Sequence, residues 1–172
     1  MIARARDGQT ALHRASRIGQ PGQVEVVRML LKHGANTSAG DVYKSTPLHL
    51  TSRRGDVDII RILLEHDADV NVQSVGGWTA LHHASLGRHQ EVTRILLVCG
   101  ADVNAQDEEG WTALHHSSRG GHIVVTRSLL SSMTRTQMPR TWTRPSQSWE
   151  FASAPCSRRS RAIPTSPYPE AT

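Results

Sequence analysis

Apolar residues return along this chain at a fixed interval. The pairs Leu30-Leu31, Leu63-Leu64, Leu96-Leu97 and Leu129-Leu130 follow one another at 33 residues. Ile60, Leu63 and Leu64 stand at i, i+3 and i+4, which puts them on one face of a helix predicted over Val57–Glu65. Upstream of each pair a second block recurs, as Thr10-Ala11-Leu12-His13, Thr46-Pro47-Leu48-His49, Thr79-Ala80-Leu81-His82 and Thr112-Ala113-Leu114-His115. Its last two steps are 33 residues and its first is 36, because Gln20-Pro21-Gly22 lengthens one turn. A third block, Gly34-Ala35-Asn36, Asp67-Ala68-Asp69-Val70-Asn71 and Gly100-Ala101-Asp102-Val103-Asn104, follows the leucine pairs.

Each block has a local meaning. Threonine is a good N-cap, because its hydroxyl accepts from the open amides of a first helical turn. Pro47 sits at the first helical position, where its missing N–H costs nothing. A short helix over about Ala80–Leu86 follows one such cap, and Gly55 and Gly121 supply turns at positive φ. Gly34 and Gly100 suit the left-handed residue that ends a helix. The Ala-Asp-Val-Asn run and the glycine beyond it read as an extended loop with a tight turn. So short a helix pair cannot bury its apolar face alone, and stacking near-copies buries it.

These motifs resemble the ankyrin repeat. The resemblance implies an all-α solenoid of stacked helix–turn–helix units with extended β-hairpin-like loops. The units fall at about 5–40, 41–73 and 74–106, with a shortened one at 107–131. The resemblance also implies that His13, His49, His82 and His115 tie helix starts to neighbouring loops by hydrogen bonds. The chain departs from the pattern where Lys44 replaces a turn glycine, Asp67 replaces a C-cap glycine, and Arg88 replaces the inter-helix glycine. Each puts a side chain where positive φ is expected, at a cost of up to about 1 kcal/mol.

Candidate chemistry is sparse. No Gly-x-Ser-x-Gly, Walker-type loop or His-Glu-x-x-His occurs, so catalysis and cofactors are not expected. Ser85, Ser117 and Ser118 stand where close helix packing wants little volume. His83 and His116 form doublets with the structural histidines, but equivalent side chains in stacked units lie roughly 8–10 Å apart, too far for one zinc. They are expected to line the inner groove beside Arg14 and Leu50. Cys99 and Cys156 do not read as a disulfide framework, which suits an intracellular setting, cytoplasmic or nuclear. No apolar run approaches the roughly 18–20 residues of a membrane span. Arg17, Arg53, Arg54 and Arg119 lie near inner-helix ends, yet Leu86 interrupts the series and Asp41, Asp107, Glu108 and Glu109 crowd the same side. That arrangement argues against nucleic acid, which needs a connected basic stripe.

The variation between units points to protein recognition. Just before the threonine stand Gln9, Ser45, Trp78 and Trp111, and three residues before it Asp7, Tyr43, Gly76 and Glu109. Late in the first helix stand Arg17, Arg53, Leu86 and Arg119. The apolar positions barely change while these do. By the resemblance, such loop tips and inner helices form a concave binding face. Its expected contacts are Val42, Tyr43, Ser45, Arg53, Val75, Trp78, His83, Leu86, Glu108, Glu109, Trp111, His116 and Arg119. Trp78 and Trp111 are either anchors for a partner or packing against a neighbouring loop. The expected activity is non-enzymatic binding of a protein. The alternatives are a truncated or frameshifted product of a longer array with no function of its own, or a nucleic-acid-associated adaptor.

The net charge of +5 gives a different picture once divided. Residues 1–132 hold 14 Lys/Arg against 13 Asp/Glu, while residues 133–172 hold six Arg and two Glu. The array itself is near neutral. Both its ends lack the polar caps of solenoids, and the first helix pair is expected to expose Val24, Val27 and Leu30; a piece of a longer array fits this. After Ser131 the pattern gives way to a basic Ser/Arg/Pro/Thr-rich segment expected to be disordered. Shifted back by one base, suitable codons for residues 132–143 read Glu-His-Asp-Ala-Asp-Pro-Asn-Ala-Gln-Asp-Val-Asp. That nearly repeats residues 65–71 and falls in the 33-residue register. The tail is therefore expected to be a frameshift product, its charge without functional meaning. Sequencing the transcript across codons 125–135 checks this: an in-frame message shared with close relatives refutes it.

Overall fold

The computed structural model describes residues 5–17, 20 and 22–136. Eight helices occur among them: α1 Ala11–Arg17, α2 Gln23–Lys32, α3 Pro47–Arg54, α4 Val57–Glu65, α5 Ala80–Leu86, α6 Gln90–Val98, α7 Ala113–Arg119 and α8 Ile123–Thr136. The short helices α1, α3, α5 and α7 stack in one layer, and α2, α4, α6 and α8 in a second. The first layer packs more closely than the second, so the array bends toward it. Leu12, Leu48 and Leu81 of the inner layer and Val27, Ile60, Leu63, Leu96 and Leu129 of the outer layer form one continuous core.

The helix starts are built by one recurring network. The threonine N–H donates to Nδ1 of the histidine three residues on, at 3.2, 3.1, 3.2 and 3.1 Å in the four units. Nδ1 is thus an acceptor, and the ring proton sits on Nε2. That proton is donated to the next unit's loop: His13 to the Ser45 carbonyl at 2.8 Å, His49 to those of Val72 and Trp78 at 3.0 Å, and His82 to that of Trp111 at 3.1 Å. One side chain therefore caps its own helix and docks the following repeat.

Each loop folds back on itself without forming a strand among the described residues. Ser74 N–H donates to the Trp78 carbonyl and Asp107 N–H to that of Trp111, at 2.8 and 2.9 Å. Adjacent loops are joined by single backbone bonds, from Val75 N–H to the Tyr43 carbonyl and from Glu108 N–H to that of Gly76. A Cβ on Gly77 would come within 2.9 Å of Asp107 Cα, so the close contact of loops requires glycine there. The non-glycine residues at positive φ are Lys44, Asp67 and Arg88, at 56°, 58° and 61°. These are the three positions where the repeat pattern lacks its glycine.

Several expectations are corrected. Val27 is fully buried, because it faces the second repeat; the apolar side chains open on α2 are Val26 and Met29, which face away from it. Helix α8 continues to Thr136, since Met133 occupies the place of the helix-ending Gly34 and Gly100 and packs against the core. Cys99 stands at the C-cap of α6, and Cys156 lies outside the described residues. The remaining tail, on which the disorder and frameshift expectations bear, also lies outside them.

Two outcomes are expected. Lys44→Gly relieves a left-handed backbone and raises stability by up to about 1 kcal/mol, less the entropy glycine adds to the unfolded chain; denaturant titration reads the change. Burial holds the His49 and His82 imidazoles below their ordinary value, although their carbonyl bonds pull the other way. The unfolded chain then binds more protons below about pH 6.5, so stability is full above that pH and falls as pH drops, by up to about 1.4 kcal/mol per unit for each group. Equal stability at pH 7.5 and pH 5 would contradict this assignment.

Candidate protein-interaction surface

The loops and inner helices carry the variable residues. Four are large apolar side chains open to solvent: Val42 (58% exposed), Tyr43 (67%), Val75 (56%) and Leu86 (49%). Val42 and Tyr43 form the tip of the second loop and Val75 the tip of the third, with Leu86 at the end of α5. Arg53 in the last turn of α3 and Arg119 at the end of α7 stand on either side of the Leu86 position, and both are exposed. Glu108 and Glu109 make the fourth loop tip acidic and are also exposed. Ser45 is half-buried, and its carbonyl is the one that receives His13.

Beneath this surface runs an aromatic column. The Trp78 ring lies 5.0 Å from the His83 ring and 4.5 Å from the His116 ring. His83 in turn meets His49 edge-on at 5.9 Å. On the other side His116 lies 5.4 Å from Trp111, over which the Arg119 guanidinium sits at 5.3 Å. Such ring and cation contacts contribute about 0.5–1.5 kcal/mol each beyond area burial. Trp78 and Trp111 are both half-buried. Of the two sequence readings, the geometry shows each indole packed within the stack, with one part of its surface left to the groove.

The column is braced by a buried hydrogen bond. His116 Nε2 and Asp107 Oδ2 are 2.9 Å apart in a buried pair, while Asp107 Oδ1 accepts the N–H groups of Glu109 and Trp111 at 3.0 and 2.8 Å. Burial pushes the Asp107 carboxyl up, but the bonds from His116, Trp111 and Glu109 outweigh it and hold the group below its usual range. Burial, then the charges of His49 and Arg53, push His83 down to about 3. His83 is therefore neutral at physiological pH.

This geometry corrects two expectations about the groove. Only Arg14 of the four expected lining residues is exposed, and it is paired with Asp7; Leu50 and His116 are buried and His83 is half-buried. Asp107 does not add to the surface charge, because its carboxylate is spent on the column. Asp41 is likewise committed, its Oδ1 accepting from Tyr43 and Ser45 N–H at 2.9 Å. The acidic character of the face rests on Glu108 and Glu109. Sequence reasoning missed Asp107 as a brace, although a signal existed: tryptophan before the cap and a second histidine after the structural one occur together in the third and fourth units and in neither of the first two.

Among the described residues, no helix is long and apolar enough to cross a membrane, and no group of three or more His, Cys, Asp or Glu side chains could hold a metal ion. A search of curated proteins finds no match for the chain. The family model described as ankyrin repeats (3 copies) matches residues 2–74, 37–107 and 72–140. Ankyrin repeats are generally protein–protein interaction modules, and the family is typically non-enzymatic. Matched motifs and stacked helix pairs together establish that this chain belongs to the ankyrin-repeat family.

Proposed function

We propose that the chain binds a protein partner across its concave face and loop tips, with no chemical step. The observation that carries this reading is the set of apolar side chains at Val42, Tyr43, Val75 and Leu86, each about half or more exposed on one side of the array. A soluble surface rarely groups large apolar side chains unless something covers them. Arg53 and Arg119 flank the Leu86 position, and the acidic pair Glu108 and Glu109 closes one end, which favours a partner of mixed charge. Trp78, His83, Trp111 and His116 form the floor. Being held by packing, they lose little freedom on binding, which lowers the entropic cost of association.

The test compares the full chain with its Tyr43→Ser/Leu86→Ser variant, each immobilised and exposed to cell lysate. Both side chains are open, so the variant is expected to melt within a few degrees of the parent. Proteins captured by the parent are expected to fall at least about tenfold with the variant, the loss that removing two hot-spot side chains produces. Undiminished capture, with loss instead on replacing the outer-layer Arg28 by glutamate, would overturn the concave assignment.

A further inference from the structure

The four units have the same local sequence and differ in their neighbours, so unequal burial at equivalent positions shows which face each side chain serves. Ile59 and Ile62 in the second unit, Val92 and Ile95 in the third and Val125 in the fourth are all buried. Their equivalents in the first unit, Val26 and Met29, are 40% and 49% exposed. These positions are covered by the preceding unit. The opposite face behaves in the same way. Leu31 and Leu64 are buried and Leu97 is half-buried, whereas the equivalent Leu130 is 49% exposed. Ser16, Ser52 and Ser85 are fully buried, whereas Ser118 is open. Ser118, Thr126, Arg127 and Leu130 line an open apolar groove of about 420 Å³.

Polar groups at the two faces are matched as well. At each internal junction a histidine Nε2 donates to the carbonyl just before the next threonine cap, or near it. His115 holds Thr112 through Nδ1, and its Nε2 has no acceptor among the described residues. On the first unit the equivalent carbonyl is that of Gln9, which receives the same within-loop bond, from Ala5 N–H at 2.9 Å, as its counterparts do. Each junction also has one loop-to-loop backbone bond, as from Val42 N–H to the Asp7 carbonyl and from Glu108 N–H to that of Gly76. By the same rule the Glu109 carbonyl faces outward at one end and the Arg6 N–H at the other. On the outer layer Arg61 pairs with Glu91 of the following unit at 3.1 Å. The corresponding groups at the two ends are Arg127 and Glu25.

We propose that the occupant of the face formed by α7 and α8 is the α1–α2 face of a second copy of this chain, stacked head to tail in the geometry of the internal junctions. Val26 and Met29 of one copy cover the groove at Leu130 of the other. His115 Nε2 donates to the Gln9 carbonyl, Arg6 N–H to the Glu109 carbonyl, and Arg127 meets Glu25. Arg6 stacks beside Glu108, while Asp7 is engaged by Arg14 of its own unit at 3.6 Å. The contact is heterologous, with each end using a different surface, so it extends into open chains instead of closing as a symmetric dimer. It shares the fourth loop tip with the groove reading but can be tested apart from it, since Val42, Tyr43, Val75 and Leu86, which carry that reading, lie outside both faces.

The experiment is sedimentation equilibrium of the full chain from 10 µM to 1 mM. The average mass is expected to rise continuously beyond that of a dimer. Leu130→Glu blocks one face and Met29→Glu the other; both sites are exposed, and circular dichroism melts verify that each variant folds. Each variant alone is expected to remain monomeric. Mixed in equal amounts they are expected to form a one-to-one dimer and nothing larger, because one intact junction remains between them. A parent chain that stays monomeric at 1 mM, variants that still associate alone, or a mixture that does not pair would each overturn the proposal.

Discussion

The bond from each unit's histidine Nε2 to a carbonyl of the next loop carries two obligations at once. The same imidazole must leave Nδ1 unprotonated for its own threonine amide and aim Nε2–H across the repeat boundary. Neither helix of a pair exceeds ten residues except α8, and isolated helices of that length are marginal in water. The pair persists because the leucine core is shared with neighbours and the histidine fixes the spacing at which sharing occurs. Everything on the concave side inherits its position from that spacing: loop tips at intervals of one repeat, and inner-helix ends below them.

Energetically the array is a sum of units and junctions, and its features divide along that line. The leucine and isoleucine positions serve junctions in both directions. The aromatic column serves the junction between the third and fourth units, where Trp78 lies between His83 of its own unit and His116 of the next. The buried His116–Asp107 pair fixes the loop of the fourth unit beneath that contact. Taking a carboxylate out of water costs several kcal/mol unless hydrogen bonds compensate, and here His116 and two backbone amides provide them. The first two units have neither the tryptophan nor the second histidine, so the array is stiffened unevenly toward its third and fourth units.

Much of this was legible in the chain. Strict spacing of Leu30, Leu63, Leu96 and Leu129 located the outer helices, and the threonine blocks located the inner ones, because period and packing are the same fact in a solenoid. Lys44, Asp67 and Arg88 could be read as left-handed because a glycine stood at the same place in sister units. What sequence did not reveal were contacts between residues with no repeated partner. Asp107 looked like surface charge, since a loop carboxylate gives no sign of which histidine it meets. Val27 and Val26 are adjacent valines, and only the side on which the second repeat packs decides which is buried. The overrun of α8 follows from Met133, whose helical geometry leaves nothing to stop the helix where a glycine would.

The seat of Gly77 on the Asp107 backbone bears on how such a loop can diversify. With no room for even one carbon between the third and fourth loops, that residue belongs to the scaffold although it lies among exposed tip residues. Its neighbour Val75 borders open space and can take other side chains, whereas Gly76, at φ 86° with a Cβ position 3.2 Å from the Trp78 ring, is held to glycine as well. Divergent copies of this array, natural or selected in the laboratory, are therefore constrained to explore new specificities at Val75 while the two glycines after it stay constant, so tolerance within one turn ends abruptly between adjacent residues.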